Sequence, residues 1–366
     1  MHYFKDLTVQ LRVKDFFTHS IESGHLAHAF IFYGGQGRGK EAFAIELAKT
    51  LNCTSTEIKP CNSCPACLKT NNLGHPDVKF IYPLSRQTSP DQQVQILKDK
   101  AKNPYSPIEI NGHKSISIEA IRALKNEAKY ASFESGKRIF IIYGAEYFSR
   151  EAANSFLKLL EEPPENLYII LITDEIRSLL DTIRSLCQPV YFPEFNDSEI
   201  ESILRKYDAD MQDTRALIRI SQHNIKRIYQ LLHSENNLLR ETVYDFIKAI
   251  AGNNYFTIST IIDRIVQKRD KNLVSEFLNL ILLWFRDSIR FLILEDSSDF
   301  ANLDYEEKIK KFADFYRHIE MEKIIELVEQ ASVHIQMNAH PALTLTNLSI
   351  EMKQILKKAP LIREAV

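Results

Sequence analysis

The sequence predicts an α/β domain built on a parallel sheet of the phosphate-loop type, followed by an all-helical region. Three observations carry that prediction. Short apolar runs recur with helical stretches between them: "AFIFY" from Ala29 to Tyr33, "RIFIIY" from Arg138 to Tyr143, "LYIILIT" from Leu167 to Thr173 and "PVYF" from Pro189 to Phe192. Continuous apolar runs of strand length belong to parallel strands covered on both faces. The first run leads into "GGQGRGKE" (Gly34 to Glu41) and then "AFAIELAKTL", a glycine-rich turn opening a helix, which is the context a phosphate loop requires. After Phe195 the apolar period becomes helical and stays so to the C-terminus, starting with the Asn-Asp-Ser helix opening of "NDSEIESILRKY".

Composition bounds the function classes. The chain has 366 residues, 45% of them hydrophobic, enough for two or three domains with their own cores. Lys plus Arg total 46 against 48 Asp plus Glu, so no overall basic excess exists to hold nucleic acid by charge alone. No apolar run reaches the length of a membrane span, and the opening "MHYFKDLTVQLRVKDFF" is too charged for a secretory signal. A cytoplasmic protein without a membrane partner is the expectation. The expected divisions are a nucleotide-binding-like domain over 1–195, a small helical lid over 196–234 and a helical C-terminal domain over 235–366. Within the last, "VSEFLNLILLWFRDSIRFLIL" (Val274 to Leu294) reads as a helix buried on most sides, within the chain or against another subunit.

The loop is chemically incomplete. In G-x-x-x-x-G-K-[ST] the backbone N–H groups cradle phosphates, the lysine reaches the terminal ones and the last hydroxyl ligates magnesium. Gly34, Gly35, Gly37, Gly39 and Lys40 fit this pattern, but Glu41 stands in place of the hydroxyl. A carboxylate there would repel a triphosphate. The strand that should end in acids to hold magnesium and polarise water places Tyr143 and Gly144 at those positions, and Glu146 two residues on reads as a helix-start charge. ATP binding is therefore doubtful.

Cys53, Cys61, Cys64 and Cys67 form C-x7-C-x2-C-x2-C, a set of four thiols close enough to wrap one ion. Four sulfurs suit tetrahedral Zn²⁺ and leave no open position, so a structural zinc module over about 53–67 is expected. His25, His28 and His75 lie nearby, but four cysteines already complete a tetrahedron, and structural or surface roles are expected for all three. Cys187 reads as a packed core residue. The polar stretch from Leu84 to Lys114 is longer than the usual connection and reads as a mobile or partly helical insertion.

With "LAHAFIFYGGQGRGK", "CNSCPAC", "GHPDV", "IRALKNEAKYASFESGKRIFII", "EAANSFLKLLEEPPENLYIILIT" and "LLDTIRSLCQ", the chain resembles bacterial DNA polymerase III clamp-loader subunits of the delta-prime type. The likeness covers roughly residues 5–195, and "IQMNAHPALTLTNLSIEM" is similar to the family's last collar helix. The resemblance implies an AAA+ domain, a three-helix lid and a C-terminal collar that joins gamma/tau motor subunits and delta in a ring acting on the sliding clamp and primed DNA during replication. It also implies a stationary subunit beside a motor site. Thr173 falls at the family's nucleotide-sensing position and reads here as a strand-end polar cap. The family's Ser-Arg-Cys motif, which offers an arginine to the neighbour's ATP, is Ser185-Leu186-Cys187 here; Arg184, two positions away from the place of that arginine, would point elsewhere.

The leading expectation is thus a catalytically silent clamp-loader subunit. Two rivals remain at this level: an ATP-hydrolysing gamma/tau-like motor of the same complex, and a zinc-dependent DNA-binding protein acting alone. Magnesium-dependent turnover lost in Lys40→Ala would favour the first, and tight, salt-sensitive binding of primed DNA the second.

Overall fold

The computed structural model describes residues 2–5, 7–110, 112–130, 132–134, 136–207, 214–233, 236–267, 271–294, 297, 300–302 and 305–357. In chain order the first elements are β1 (His2–Tyr3), α1 (Leu11–Glu22), β2 (Ala29–Tyr33), α2 (Lys40–Asn52), β3 (Ile58–Lys59), α3 (Pro65–Asn71), β4 (Val78–Ile81) and α4 (Pro90–Lys102). They are followed by α5 (Ile118–Ala128), β5 (Arg138–Tyr143), α6 (Arg150–Glu161), β6 (Leu167–Thr173), α7 (Asp181–Leu186), β7 (Gln188–Tyr191) and α8 (Asp197–Tyr207). The remaining elements are helices: α9 (Thr214–Ser221), α10 (Ile225–His233), α11 (Asn236–Ala251), α12 (Tyr255–Gln267), α13 (Lys271–Leu294), α14 (Glu306–Phe315), α15 (Met321–Gln336) and α16 (Pro341–Leu356). The chain divides into two compact units, Met1–Gln212 with His223–Gln230, and Asp213–Gln222 with Leu231–Val366.

In the first unit the strands form a parallel sheet in the order β4-β5-β6-β2-β7. Alternation along each strand explains why the runs are apolar throughout. Phe30 and Phe32 of β2, Ile139 and Ile141 of β5, and Ile170 and Ile172 of β6 pack on one face with Phe17 of α1 and Phe43 of α2. Ala29 and Ile31, Phe140 and Ile142, and Ile169 and Leu171 point the other way, onto Leu124 of α5 and Phe156 and Leu160 of α6. The three central strands β2, β5 and β6 thus have no water-facing side to fill with polar residues.

The edge strand β4 is not flagged by the hydrophobic pattern. Of its four residues only Val78 is buried, because β4 has a neighbour on one side alone, and its "VKFI" reads as an ordinary connection. The stretch 84–114, expected to be mobile or partly helical, contains α4. Its start is a capping box: the Ser89 hydroxyl accepts from Gln92 N–H, the Gln92 side chain accepts from Ser89 N–H, and Pro90 sits in the first turn. Tyr82, Ile108 and Ile110 bury together against Leu97 and Tyr143, which holds the segment on the sheet domain.

Helix α8 starts where the Asn-Asp-Ser signal places it. The Asn196 side chain accepts from Glu199 N–H at 2.9 Å, and the Glu199 carboxylate accepts from Asn196 N–H at 3.0 Å. The second unit has its own core, in which Phe246, Phe277, Trp284, Ile324, Leu345 and Met352 are buried. Helix α13, the long apolar helix of the sequence, packs within this unit over most of its length, and its C-terminal end opens, with Ile293 70% exposed. Its Asp287 is buried and accepts hydrogen bonds from the Ala301 and Asn302 backbone and from the Asn302 amide, fixing the segment after the helix. No helix among the described residues is long and apolar enough to cross a membrane.

Candidate functional site

The glycine-rich loop lies between the C-terminal end of β2 and the N-terminus of α2, the edge of a parallel sheet where ligands of such folds bind. Gly39 precedes α2 with φ of +76°, and a Cβ there would stand 2.6 Å from the Phe195 ring, so only glycine fits. Lys40, 1% exposed, turns back on its own loop: its Nζ donates to the Gly34 carbonyl at 2.5 Å, the Gly35 carbonyl at 2.7 Å and Asp174 at 2.8 Å. Burial pushes its pKa down, and Asp174 opposes that shift.

Glu41 is 2% exposed and faces two ammonium groups. Lys226 Nζ lies 2.6 Å from its carboxylate and Lys100 Nζ 3.7 Å. Burial alone would raise the carboxyl, yet Lys100 and Lys226 outweigh it and hold Glu41 at about 2. For Lys100 burial wins and lowers the ammonium to about 8, while for Lys226 the carboxylate and Tyr143 overcome burial and raise it. The position that holds magnesium in a working phosphate loop is therefore taken up by a neutralised carboxylate between two protein cations.

The two strand-end positions at which a working motif carries acids hold Tyr143 and Gly144. Tyr143 receives a hydrogen bond from Lys226 at 3.2 Å, and the same ammonium lies 4.6 Å from the ring centroid. Burial raises the Tyr143 phenol to about 12. Gly144 has φ of +71°, and any Cβ would stand 3.0 Å from Tyr147 and 3.1 Å from Pro83, so an aspartate there would be both strained and crowded. Glu146 is half-buried, and burial raises its carboxyl. The Thr173 hydroxyl donates to the Glu175 carbonyl at 3.1 Å and accepts from Glu175 N–H at 3.2 Å. The residues present do not fit a magnesium–nucleotide.

Sequence reasoning missed Asp174, Lys100, Lys226 and Asn224. Asp174 directly follows Thr173 at the end of β6 and was readable as a strand-end acid. Lys100 and Lys226 come from α4 and α10, and no spacing rule links either to residue 41. Asn224 presses on the loop so closely that a Cβ on Gly37 would meet its Oδ1 at 1.9 Å.

The second site is the cysteine cluster. The sulfurs of Cys53, Cys61, Cys64 and Cys67 all lie within 4.8 Å of one another. Sulfur–sulfur edges of about 3.8 Å are expected around tetrahedral zinc from its bond length. Backbone N–H groups point at the sulfurs: Cys61 N at Cys53 Sγ (3.3 Å), Cys64 N at Cys61 Sγ (3.3 Å) and Cys67 N at Cys64 Sγ (3.5 Å). Such donors offset thiolate charge, and those from Ser63 hold the Cys61 thiol down at about 6. Residues 58–59 next to the cluster pair with β1. None of the three histidines joins it. His75 is buried and accepts from Asp77 N–H, the His28 ring meets the Leu160 carbonyl at 3.1 Å, and His25 is exposed.

At Ser185-Leu186-Cys187, Leu186 packs against the sheet core and burial raises the Cys187 thiol to about 12, as a core residue should show. Arg184 is paired with Asp181 within its own helix.

Residues 9–196, just over half the chain, match the sequence profile of the family described as DNA polymerase III, delta subunit. Over 256 residues the chain is 30% identical to DNA polymerase III subunit delta' of Bacillus subtilis (strain 168), covering 68% of each protein. It is 25% identical over 333 residues to DNA polymerase III subunit gamma of Buchnera aphidicola subsp. Acyrthosiphon pisum, covering 89% of this chain and 80% of that one. Among solved structures, the gamma subunit-related protein of Thermotoga maritima overlaps loosely, at 17% identity and a TM-score of 0.38 over 79% of this chain and 98% of its own.

Proposed function

The chain belongs to the DNA polymerase III delta-subunit family, and from that premise we propose that it is a ring member that hydrolyses no ATP. It is a clamp-loader subunit of delta-prime type with an AAA+ α/β domain and a helical C-terminal region. The observation that carries the silent reading is Glu41 held between Lys226 and Lys100 at the magnesium position. The loss of both acids at Tyr143 and Gly144 supports it, because the attacking water then lacks a polarising carboxylate. The Cys53, Cys61, Cys64 and Cys67 cluster holds structural Zn²⁺ in this reading, supported by the sulfur geometry. Residues 196–234 serve as lid and 235–366 as collar, and the assembly with gamma/tau and delta acts in the cytoplasm on the sliding clamp and primed DNA. Leu186 supplies no arginine to a neighbour, and Arg184 is engaged by Asp181.

Native mass spectrometry of the tagged full chain recovered from its own cells tests this directly. A multi-subunit assembly carrying zinc, with no nucleotide on this chain, is the expected result. A lone chain carrying ATP and magnesium would overturn it. Magnesium-dependent turnover that Lys40→Ala abolishes would instead assign the chain to the motor subunits.

A further inference from the structure

The stretch 84–114 has a use that its sequence does not disclose. The last turn of helix α4 carries Lys100, which is 1% exposed. Its ammonium donates to the Ser106 carbonyl at 2.8 Å, closing the turn that follows, and lies 3.7 Å from Glu41. That turn carries Tyr105, which is 7% exposed and packs on Phe195 (6.3 Å between centroids) and Tyr207 (5.8 Å). Its ring edge lies 3.3 Å from where a Cβ on Gly39 would be, so it covers the last glycine of the loop. Farther on, Glu109 accepts from the Gln230 amide at 2.9 Å, and Lys226, four residues before Gln230, completes the charge cluster on Glu41. One segment thus touches residue 41, the glycine loop and α10.

We propose that residues 84–114 are a built-in occupant of the degenerate phosphate loop, with Lys100 supplying at residue 41 the positive charge that a divalent cation would bring and Tyr105 closing over Gly39. This deepens the silent reading and rests on it. The physical reason is that a carboxylate buried at a helix start requires counter-charge to remain ionised. An ammonium carried on the same chain meets that requirement without the association cost that a free ion pays. The cluster therefore does two things together: it stabilises the loop in the absence of ligand, and it takes the space and charge on which magnesium–nucleotide binding depends.

The test is binding of a fluorescent N-methylanthraniloyl ATP with magnesium to three forms of the full chain. They are the unaltered protein, Glu41→Thr, and Glu41→Thr combined with Lys100→Ala and Tyr105→Ala. No saturable binding is expected for the first two, and the third should bind saturably, with a Kd at least about tenfold below the highest nucleotide concentration at which Glu41→Thr still fails to saturate. Binding restored by Glu41→Thr alone would overturn the occupant while leaving the silent reading intact. Binding by the unaltered chain, or failure of a folded triple variant to bind, would overturn the occupant, whereas magnesium-dependent turnover by the unaltered chain would overturn the silent reading itself.

A second measurement needs no variant. Amine acetylation of the unaltered full chain should label Lys100 at least about tenfold more slowly than the exposed Lys98 and Lys102, because reaction requires local opening. Equal labelling of the three would show that α4 is not seated and would overturn the proposal even if the triple variant does not fold.

Discussion

Glu41 shows how one substitution in a motif redirects its surroundings. A hydroxyl at this position would need a metal and phosphates to complete its environment; a carboxylate needs cations, and Lys226 and Lys100 provide them from within the chain. Glu41→Gln should therefore destabilise the sheet domain by about 3–5 kcal/mol, the usual cost of leaving buried partner charges uncompensated. Urea unfolding of the full chain measures this, and a loss below the range of ordinary surface substitutions would count against the cluster. The pH dependence has a defined sign. Glu41 is held at about 2 in the folded protein against an ordinary 4.5, so its contribution is complete above pH 4.5 and is lost as pH falls towards 2. The stability gap between the unaltered chain and Glu41→Gln should shrink as pH falls below 4.5. Lys100 works the opposite way: lowered to about 8 from 10.5, it costs stability while charged, a cost relieved as pH rises from about 8 towards 10.5.

Among the elements, α4 and the cysteine module are each held by a small number of local contacts. The α4 start depends on the reciprocal Ser89–Gln92 bonds. Ser89→Ala should cost about 1 kcal/mol, a typical cap loss, and appear as faster amide exchange over 90–102. Unchanged exchange there would mean that packing by Tyr82, Ile108 and Ile110 fixes the helix without its cap. In the cysteine module, Cys64 both caps α3 and contributes a sulfur. Cys64→Ser should lower zinc content and protease resistance of the first unit while subunit association survives. A variant that retains its zinc would refute the site.

For the whole molecule, the two compact units each have a core, so they can be tested separately. Leu217 and Ile220 pack with the core that contains Phe246 and Trp284, so a fragment for the helical region should begin at 213 rather than 235. Expressed alone, 213–366 should unfold cooperatively and co-purify with partner clamp-loader subunits. A fragment that folds but remains monomeric with those partners present would remove the oligomerisation role from this region.

The sequence by itself determined the sheet, the loop and the cysteine set. These rest on local rules: strands buried on both faces must be apolar at every position, a phosphate loop needs glycines at fixed intervals, and metal-binding thiols cluster within one turn's reach. It also showed Glu41, Tyr143 and Gly144 at positions where a working motif carries a hydroxyl and two acids, because those positions are defined by motif alone. What only the tertiary structure decided is what stands in that chemistry's place. Lys100 and Lys226 meet Glu41 from distant elements, Asp174 meets Lys40 across the sheet edge, and β4 joins the sheet with a single buried residue. Apart from Asp174, a strand-end acid, none of these has a periodicity or a spacing to betray it. Charge pairing between distant segments is set by where the folded backbone brings them together, and the chain's near-equal numbers of acidic and basic residues give no hint of which will meet.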